Sequence, residues 1–169
     1  MTYAHMTTGT TEFLQNRVEN HHTVSFTFMR NRQTTAVYYE SPKKRSLFSA
    51  GLSFTILKSY LPIPDKGFVI MQHIPVAKET NKLFIQKMND SFDSFTLAKG
   101  LIAARVLEAK KRNNFVVMMV WEKESYYDEW MKNEENKPDF TSLVRKPTYF
   151  VERAFTQTYR IIYDETDEQ

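Results

Sequence analysis

Alternating apolar and polar positions dominate the first sixty residues and predict strands around one early helix. The expected order is strand 2–8, helix 10–20, strand 23–31, strand 34–40, a short extended piece 46–49 and helix 52–61. Thr10 and Thr11 precede Glu12 and predict the helix start, since a threonine hydroxyl caps free amides and a carboxylate favours the first turn. Apolar residues at every second position predict the strands. These residues are Val24, Phe26, Phe28, Ala36 and Tyr38.

From residue 68 the pattern predicts the order β-α-β-β-α-β. The elements are strand 68–76, helix 79–97, strand 101–109, strand 114–122, helix 124–136 and a long last strand 148–163. In the first of these strands Val69, Met71 and His73 point one way, and Ile70, Gln72, Ile74 and Val76 point the other. The first helix has one apolar stripe at helical spacing. It consists of Phe84, Met88, Phe92 and Phe95.

Pro62, Pro64, Asp65 and Gly67 form the only cluster of turn residues that resembles a boundary. It divides the chain into an N-terminal α+β half, 1–64, and a C-terminal half, 67–169. Strand 115–121 is apolar on both faces, so it is expected to be buried on both sides. We therefore expect an α+β, ferredoxin-like C-terminal domain packed by its sheet on a similar N-terminal half, as a pseudo-dimeric barrel within one chain.

Composition limits the classes of function. The chain has 169 residues, 41% of them hydrophobic and 14% aromatic, with 8 methionines, which favours an aromatic core or an apolar pocket. The net charge of +3 carries no basic stripe, so nucleic acid is not an expected partner. With no cysteine there is no disulfide framework and no thiolate metal site. The start lacks a signal-peptide pattern and no apolar run could span a membrane, so we expect a cytoplasmic protein.

Two basic clusters lie in predicted turns. They are Lys43-Lys44-Arg45 and Lys110-Lys111-Arg112. Both are interpreted as solvated loop charges, with attraction of an anionic ligand as the alternative.

Three segments of the second half resemble antibiotic-biosynthesis-monooxygenase domains. They are 68–76 (FVIMQHIPV), 99–107 (KGLIAARVL) and 117–132 (VMMVWEKESYYDEWMK). In the last segment a tryptophan that ends a strand is followed nine residues later by one on the next helix. With the element TGTTEFL at 8–14 ahead of that domain, the chain is similar to two-part haem-degrading monooxygenases of Gram-positive bacteria and to TRAP-like signal-transduction proteins.

The resemblance implies a haem site. Isd-type enzymes hold haem with an asparagine on the first strand, a tryptophan on the second helix and an axial histidine ten residues later. By position these fall on His73, Trp130 and Phe140. Phenylalanine has no lone pair for iron, so haem cannot be ligated here in that manner.

The candidate site residues follow from both lines of argument. His73 is a candidate acid/base group or haem ligand, or else a half-buried structural histidine, and Trp130 is the candidate catalytic partner. Arg105 is a candidate anion-binding residue, or else a strand charge paired with a glutamate. Residues expected to line an apolar cavity beside Trp130 and His73, unless they are simply core, are Trp121, Phe140, Met71, Phe84 and Met119. No metal site is expected, because the adjacent His21 and His22 point apart.

Three functions remain open. The first is a monooxygenase that acts on haem or on an apolar aromatic molecule, and the second is a non-catalytic relative that binds a ligand or a partner. The third is a structural homologue. The expected assembly is a monomer with internal pseudo-symmetry or a weak homodimer.

Overall fold

A computed structural model describes residues 1–109, 113–133 and 154–162. Its eight strands are β1 (Tyr3–Gly9), β2 (Thr27–Arg30), β3 (Thr35–Ser41), β4 (Leu52–Tyr60), β5 (Phe68–Pro75), β6 (Leu101–Ala109), β7 (Asn114–Trp121) and β8 (Phe155–Ile161). The α-helices are α1 (Thr11–Val18), α2 (Asn81–Phe95) and α3 (Glu124–Lys132), and a 3₁₀ turn, Lys78–Thr80, precedes α2. Within these ranges no helix has the length and apolar character needed to cross a membrane.

The strands close into one barrel in the order β1-β3-β2-β8-β5-β7-β6-β4, and neighbouring strands are antiparallel. One cluster of buried side chains receives residues from all eight strands and therefore fills the barrel interior. Its members are Ala4, Met6, Met29, Ala36, Tyr38, Phe54, Val69, Met71, Ala103, Leu107, Val116, Met118, Val120 and Tyr159.

Two further clusters lie on the outer face of the barrel, beneath the helices. Helices α2 and α3 cover the larger one, to which Phe84, Met88 and Trp130 contribute. Helix α1 covers the smaller one with Leu14, against Tyr39 of β3. Strands between two apolar layers must be apolar on both faces, which explains the composition of β7.

Most predicted elements are confirmed. Thr10 caps α1 by accepting a hydrogen bond from the amide of Phe13, at 3.2 Å. The apolar stripe of α2 is buried at Phe84, Met88 and Phe92. Gly100 follows α2 at φ +88°, where the Tyr126 ring occupies the space that a Cβ would need. Strand β8 lies within the predicted 148–163, of which 148–153 and 163 are outside the described residues.

The predicted helix 52–61 is wrong, because this segment is strand β4. It pairs with β1 on one side and with β6 on the other, and the β6 register shifts between Ile56 and Lys58. Phe54 contributes to the barrel interior, whereas Leu57 packs with the outer cluster. An irregularity that breaks the alternation of a strand leaves apolar residues at spacings that imitate a helix.

Two other expectations need correction. The sheets of the two halves do not form separate stacked layers, because β4 joins β6 and β2 joins β8 within one closed barrel. The predicted strand 23–31 is reduced to β2, since Val24 and Phe26 pack beneath α1 instead of pairing.

Candidate functional site

The barrel wall divides the predicted site residues into two groups. Met71 belongs to the interior cluster, and strand alternation places His73 on the same face of β5. Arg105 lies between Ala104 and Val106, which both face the helices, so it too points into the barrel. The other group belongs to the outer cluster. Its members are Phe84, Met119, Trp121 and Trp130.

The space beside Trp130 is filled by aromatic rings. Its ring centroid lies 5.6 Å from that of Trp121 and 6.5 Å from that of Tyr127. Phe84 packs on Phe115 at 4.4 Å in the same cluster. Trp121 is fully buried, and its indole Nε1 has no hydrogen-bond partner among the described residues. The described residues therefore do not form the expected oily cavity shared by Trp130 and His73, because the two lie on opposite faces of the sheet.

His73 lies near one end of the barrel interior. Its Nε2 is 3.0 Å from Gln157 Oε1, and its ring stacks on Phe155 with centroids 4.3 Å apart and planes at 7°. Its neighbour Gln72 lies on the outer face of β5, as do Ile70 and Ile74 of the outer cluster, and Gln72 is exposed. The alternation of side chains along 68–76 already placed Gln72 on that face. This position in the strand could therefore have identified Gln72, rather than His73, as a residue on the same face as Trp130.

Arg105 is buried and fully engaged with protein acceptors. Its guanidinium Nε lies 2.7 Å from a carboxylate oxygen of Glu40, across the barrel, and Nη1 donates to the carbonyl oxygens of Tyr60, Leu61 and Ala104. Tyr38 donates a hydrogen bond of 2.7 Å to the same carboxylate oxygen. Burial, followed by the negative charge of Glu40, raises the pKa of the Tyr38 hydroxyl well above its ordinary value. Arg105 thus has the paired strand charge that was the structural alternative.

An open cleft of about 930 Å³ lies along the outside of β8, between the β2–β3 turn and the start of α3. Hydroxyl groups of Thr156 and Thr158 alternate along its floor, and both residues are exposed. The lining residues are Arg30, Asn31, Arg32, Gln33, Phe68, Glu124 and 156–162.

Positive charge dominates this cleft. Arg30 and Arg160 stand directly opposite each other in the β2–β8 register, and both are exposed. Like charges at facing positions of an antiparallel pair repel each other. Arg160 contacts Glu124 at 3.0 Å and lies over the Phe68 ring at 5.3 Å, while Arg32 adds a third guanidinium. An anion between the facing arginines relieves their repulsion, so the cleft is suited to a negatively charged ligand.

Sequence reasoning missed these arginines because they are far apart in the chain. Only the pairing of β2 with β8 brings Arg30 next to Arg160. The basic clusters singled out from the sequence lie elsewhere. Lys43, Lys44 and Arg45 are exposed in the loop between β3 and β4, and residues 110–112 are outside the described residues.

All four histidines of the chain lie away from the cleft. His5 is fully buried under the β3–β4 loop, and His21 lies beside Phe26 in the N-terminal half, next to His22. His73 faces the barrel interior. Phe140, the predicted position of an axial ligand, is outside the described residues. No histidine is therefore placed to ligate an iron atom in the cleft.

Comparisons with known proteins agree with the resemblance stated from the sequence. The chain matches no family model. It is 26% identical over 141 residues to a haem-degrading monooxygenase of Listeria monocytogenes, and the match covers 83% of each chain. A ferredoxin-fold protein related to antibiotic biosynthesis monooxygenases, from L. monocytogenes 4b F2365, superimposes with a TM-score of 0.83 at 22% identity, covering 97% of this chain and 96% of that one.

A major regulator of staphylococcal pathogenesis also shares the fold. Its TM-score is 0.80 at 15% identity, and the match covers 96% of this chain and 99% of that one. The similarity to antibiotic-biosynthesis-type monooxygenases and to the TRAP-like group is thereby confirmed. The α+β, ferredoxin-like class is confirmed with it.

Proposed function

We propose that this chain is a haem-degrading-like monooxygenase whose substrate binds in the arginine-lined cleft. The observation that carries the proposal is the 26% identity to a haem-degrading monooxygenase over 83% of both chains. Haem is a flat apolar ring with two carboxylates, and the cleft offers complementary groups. The Arg160 guanidinium, itself stacked over the largely buried Phe68 ring, offers a flat face to the porphyrin, and the facing guanidinium groups of Arg30 and Arg160 supply partners for carboxylates.

The chain's own contribution in this proposal is to bind and orient the ring. Exposed side chains of Gln72, Thr156 and Thr158 lie on adjoining positions of the same outer face and offer hydrogen bonds to a ligand there. The haem supplies the oxygen chemistry, with dioxygen as co-substrate and an external reductant as the source of electrons. His73 and Arg105 take no direct part, because both point into the barrel.

A hemin titration followed by addition of ascorbate under air tests the proposal. The wild-type chain is expected to shift the Soret band at one hemin per chain, and the band is then expected to decay as iron is released. Arg160→Gln should weaken binding about tenfold, since ~1.4 kcal/mol of a charge-assisted contact corresponds to that factor. Arg17→Gln on α1 is the matched control, because Arg17 is also exposed but lies outside the cleft.

Two further outcomes of the titration are informative. His73→Ala should leave the Soret shift unchanged, which separates the cleft from a site at His73. Absence of any saturable shift in the folded wild-type chain contradicts the proposal.

A non-catalytic, TRAP-like role is the second candidate. The placement of all four histidines outside the cleft favours it, since an iron atom without a histidine ligand lacks the axial ligand expected from the resemblance. In this case the Soret band shifts on binding but stays constant after ascorbate is added. Iron-free protoporphyrin should then bind about as tightly as hemin.

We also propose that the protein is cytoplasmic and works as a monomer with internal pseudo-two-fold character, its halves being 1–64 and 67–169. Each described strand of the closed barrel pairs with a strand on both sides over at least part of its length, which supports a monomer. Light scattering of the purified chain at several concentrations tests this, and a mass of twice 20.0 kDa contradicts it.

A further inference from the structure

His5 and Ser53 form a hydrogen-bonded pair on the outer face of the barrel. They lie directly opposite each other in the β1–β4 register, and the distance from His5 Nδ1 to Ser53 Oγ is 2.7 Å. The other ring nitrogen, Nε2, is 3.0 Å from the carbonyl oxygen of Lys43. The imidazole is fully buried and tilted against the Tyr39 ring at 5.0 Å. No cleft-lining residue belongs to β1 or β4, so this pair is separate from the proposed haem site.

The two contacts fix the roles of the ring nitrogens. A carbonyl oxygen only accepts hydrogen bonds, so Nε2 carries the hydrogen when the ring is neutral. Nδ1 then has the lone pair and accepts the hydrogen bond that the Ser53 hydroxyl donates. A serine in contact with a base, whose ring is oriented by a further partner, has the arrangement of an activated nucleophile.

Ser53 keeps part of its surface exposed while the base is shielded. Ser53 is half-buried, whereas His5 is covered by the loop that contains Lys43. Gly51 lets β4 approach β1 this closely, because its φ is +137° and a Cβ there would collide with the carbonyl oxygen of Met6. The same loop exposes Lys43, Lys44 and Arg45, which attract negative charge.

We propose that Ser53 is a nucleophile activated by His5 and that it takes acyl groups from small esters that carry a negative charge. Ser53 Oγ bonds to the ester carbonyl carbon as its proton passes to His5 Nδ1. The ester C–O bond breaks, and the leaving oxygen takes that proton, which gives acyl-Ser53 and a free alcohol. Water then attacks the acyl carbon in the same way and releases a carboxylic acid and Ser53.

Acylation with p-nitrophenyl hemisuccinate, mapped by peptide mass spectrometry, tests the proposal. Ser53 should be succinylated at least about 100-fold faster than Ser59, an exposed serine of the same strand without a histidine partner, since general-base assistance contributes that order. Ser53→Ala should abolish the fast phase of nitrophenolate release, and Ser59→Ala should leave it unchanged. Equal rates at Ser53 and Ser59 in the folded wild-type chain overturn the proposal.

The variant His5→Gln tests whether His5 activates Ser53 as a base or only holds the Ser53 hydroxyl in position. The glutamine amide can still accept from Ser53 and donate to the Lys43 carbonyl, but it is not a base. Acylation of Ser53 should therefore fall about 100-fold while the melting temperature of the chain shows that it remains folded. An unchanged rate in this folded variant contradicts activation by His5.

Lys44→Gln tests the selection for negative charge. It should slow the reaction of the hemisuccinate and leave the reaction of the neutral p-nitrophenyl acetate unchanged. An equal effect on both esters contradicts the selection for negative charge.

Discussion

Two buried tyrosines inside the barrel differ in what their hydroxyl groups contact. Tyr38 donates a hydrogen bond to the carboxylate of Glu40, whereas the buried hydroxyl of Tyr159 has no partner in the part of the chain that the structure describes. Burial raises the pKa of both hydroxyl groups above the ordinary value for tyrosine. A buried polar group without a partner costs free energy that a paired one largely regains.

Removing each hydroxyl should therefore change stability in opposite directions. Tyr159→Phe is expected to raise the free energy of unfolding by about 1 kcal/mol, because it removes an unsatisfied buried group. Tyr38→Phe is expected to lower it by about 2 kcal/mol, since it removes a hydrogen bond to a charged group. Urea unfolding of the two variants measures both effects. A destabilised Tyr159→Phe would show that this hydroxyl has a partner in solution.

The ion pair across the barrel provides a second residue-scale prediction. Glu40→Gln leaves the buried guanidinium of Arg105 without its counter-charge and should cost about 3 kcal/mol of unfolding free energy. Glu124→Gln is the matched control, because its pair with Arg160 is exposed and should be worth less than about 1 kcal/mol. Equal losses of unfolding free energy in the two variants would show that the buried Arg105–Glu40 pair stabilises the fold no more than the exposed pair does.

At the scale of elements, regular patterns were sufficient for prediction and irregular ones were not. Helix α1 followed from its threonine cap, and α2 from its apolar stripe. Strand β4 was missed because the register shift near Ile56 breaks its alternation, and no local signal distinguishes such a bulge from a helical spacing.

The candidate site shows the same limit. Trp130 was predicted on the helix face and lies there, but His73 was grouped with it although alternation separates them. The cleft depends on the pairing of β2 with β8, which joins Arg30 to Arg160 over more than a hundred residues of chain. Contacts at such separation are fixed by topology, so a single sequence carries no local signal for them.

At the scale of the whole molecule, the closed barrel joins both halves of the chain into one structure. Strand β4 pairs with β6, and β2 pairs with β8, so each half supplies neighbours to the other. Shared pairing on both sides, together with an interior cluster drawn from all eight strands, predicts one cooperative unfolding transition.

Met29→Ala tests this coupling. Met29 is fully buried in the interior, and its truncation should cost about 2–4 kcal/mol. Both tryptophans lie in the C-terminal half, at β7 and α3, so their fluorescence reports unfolding of that half. The midpoint of the tryptophan transition should therefore shift with this N-terminal substitution. Two separate transitions, with the tryptophan midpoint unchanged, would show that the halves unfold independently.

The central claim is that a porphyrin ring binds outside the barrel, on the β8 face between the β2–β3 turn and α3. A crystal structure of the chain with hemin tests it most directly. We expect the ring against Phe68 and Thr158, with its carboxylates at Arg30 and Arg160. A ring whose iron is ligated by His73 at the end of the barrel interior would contradict the claim.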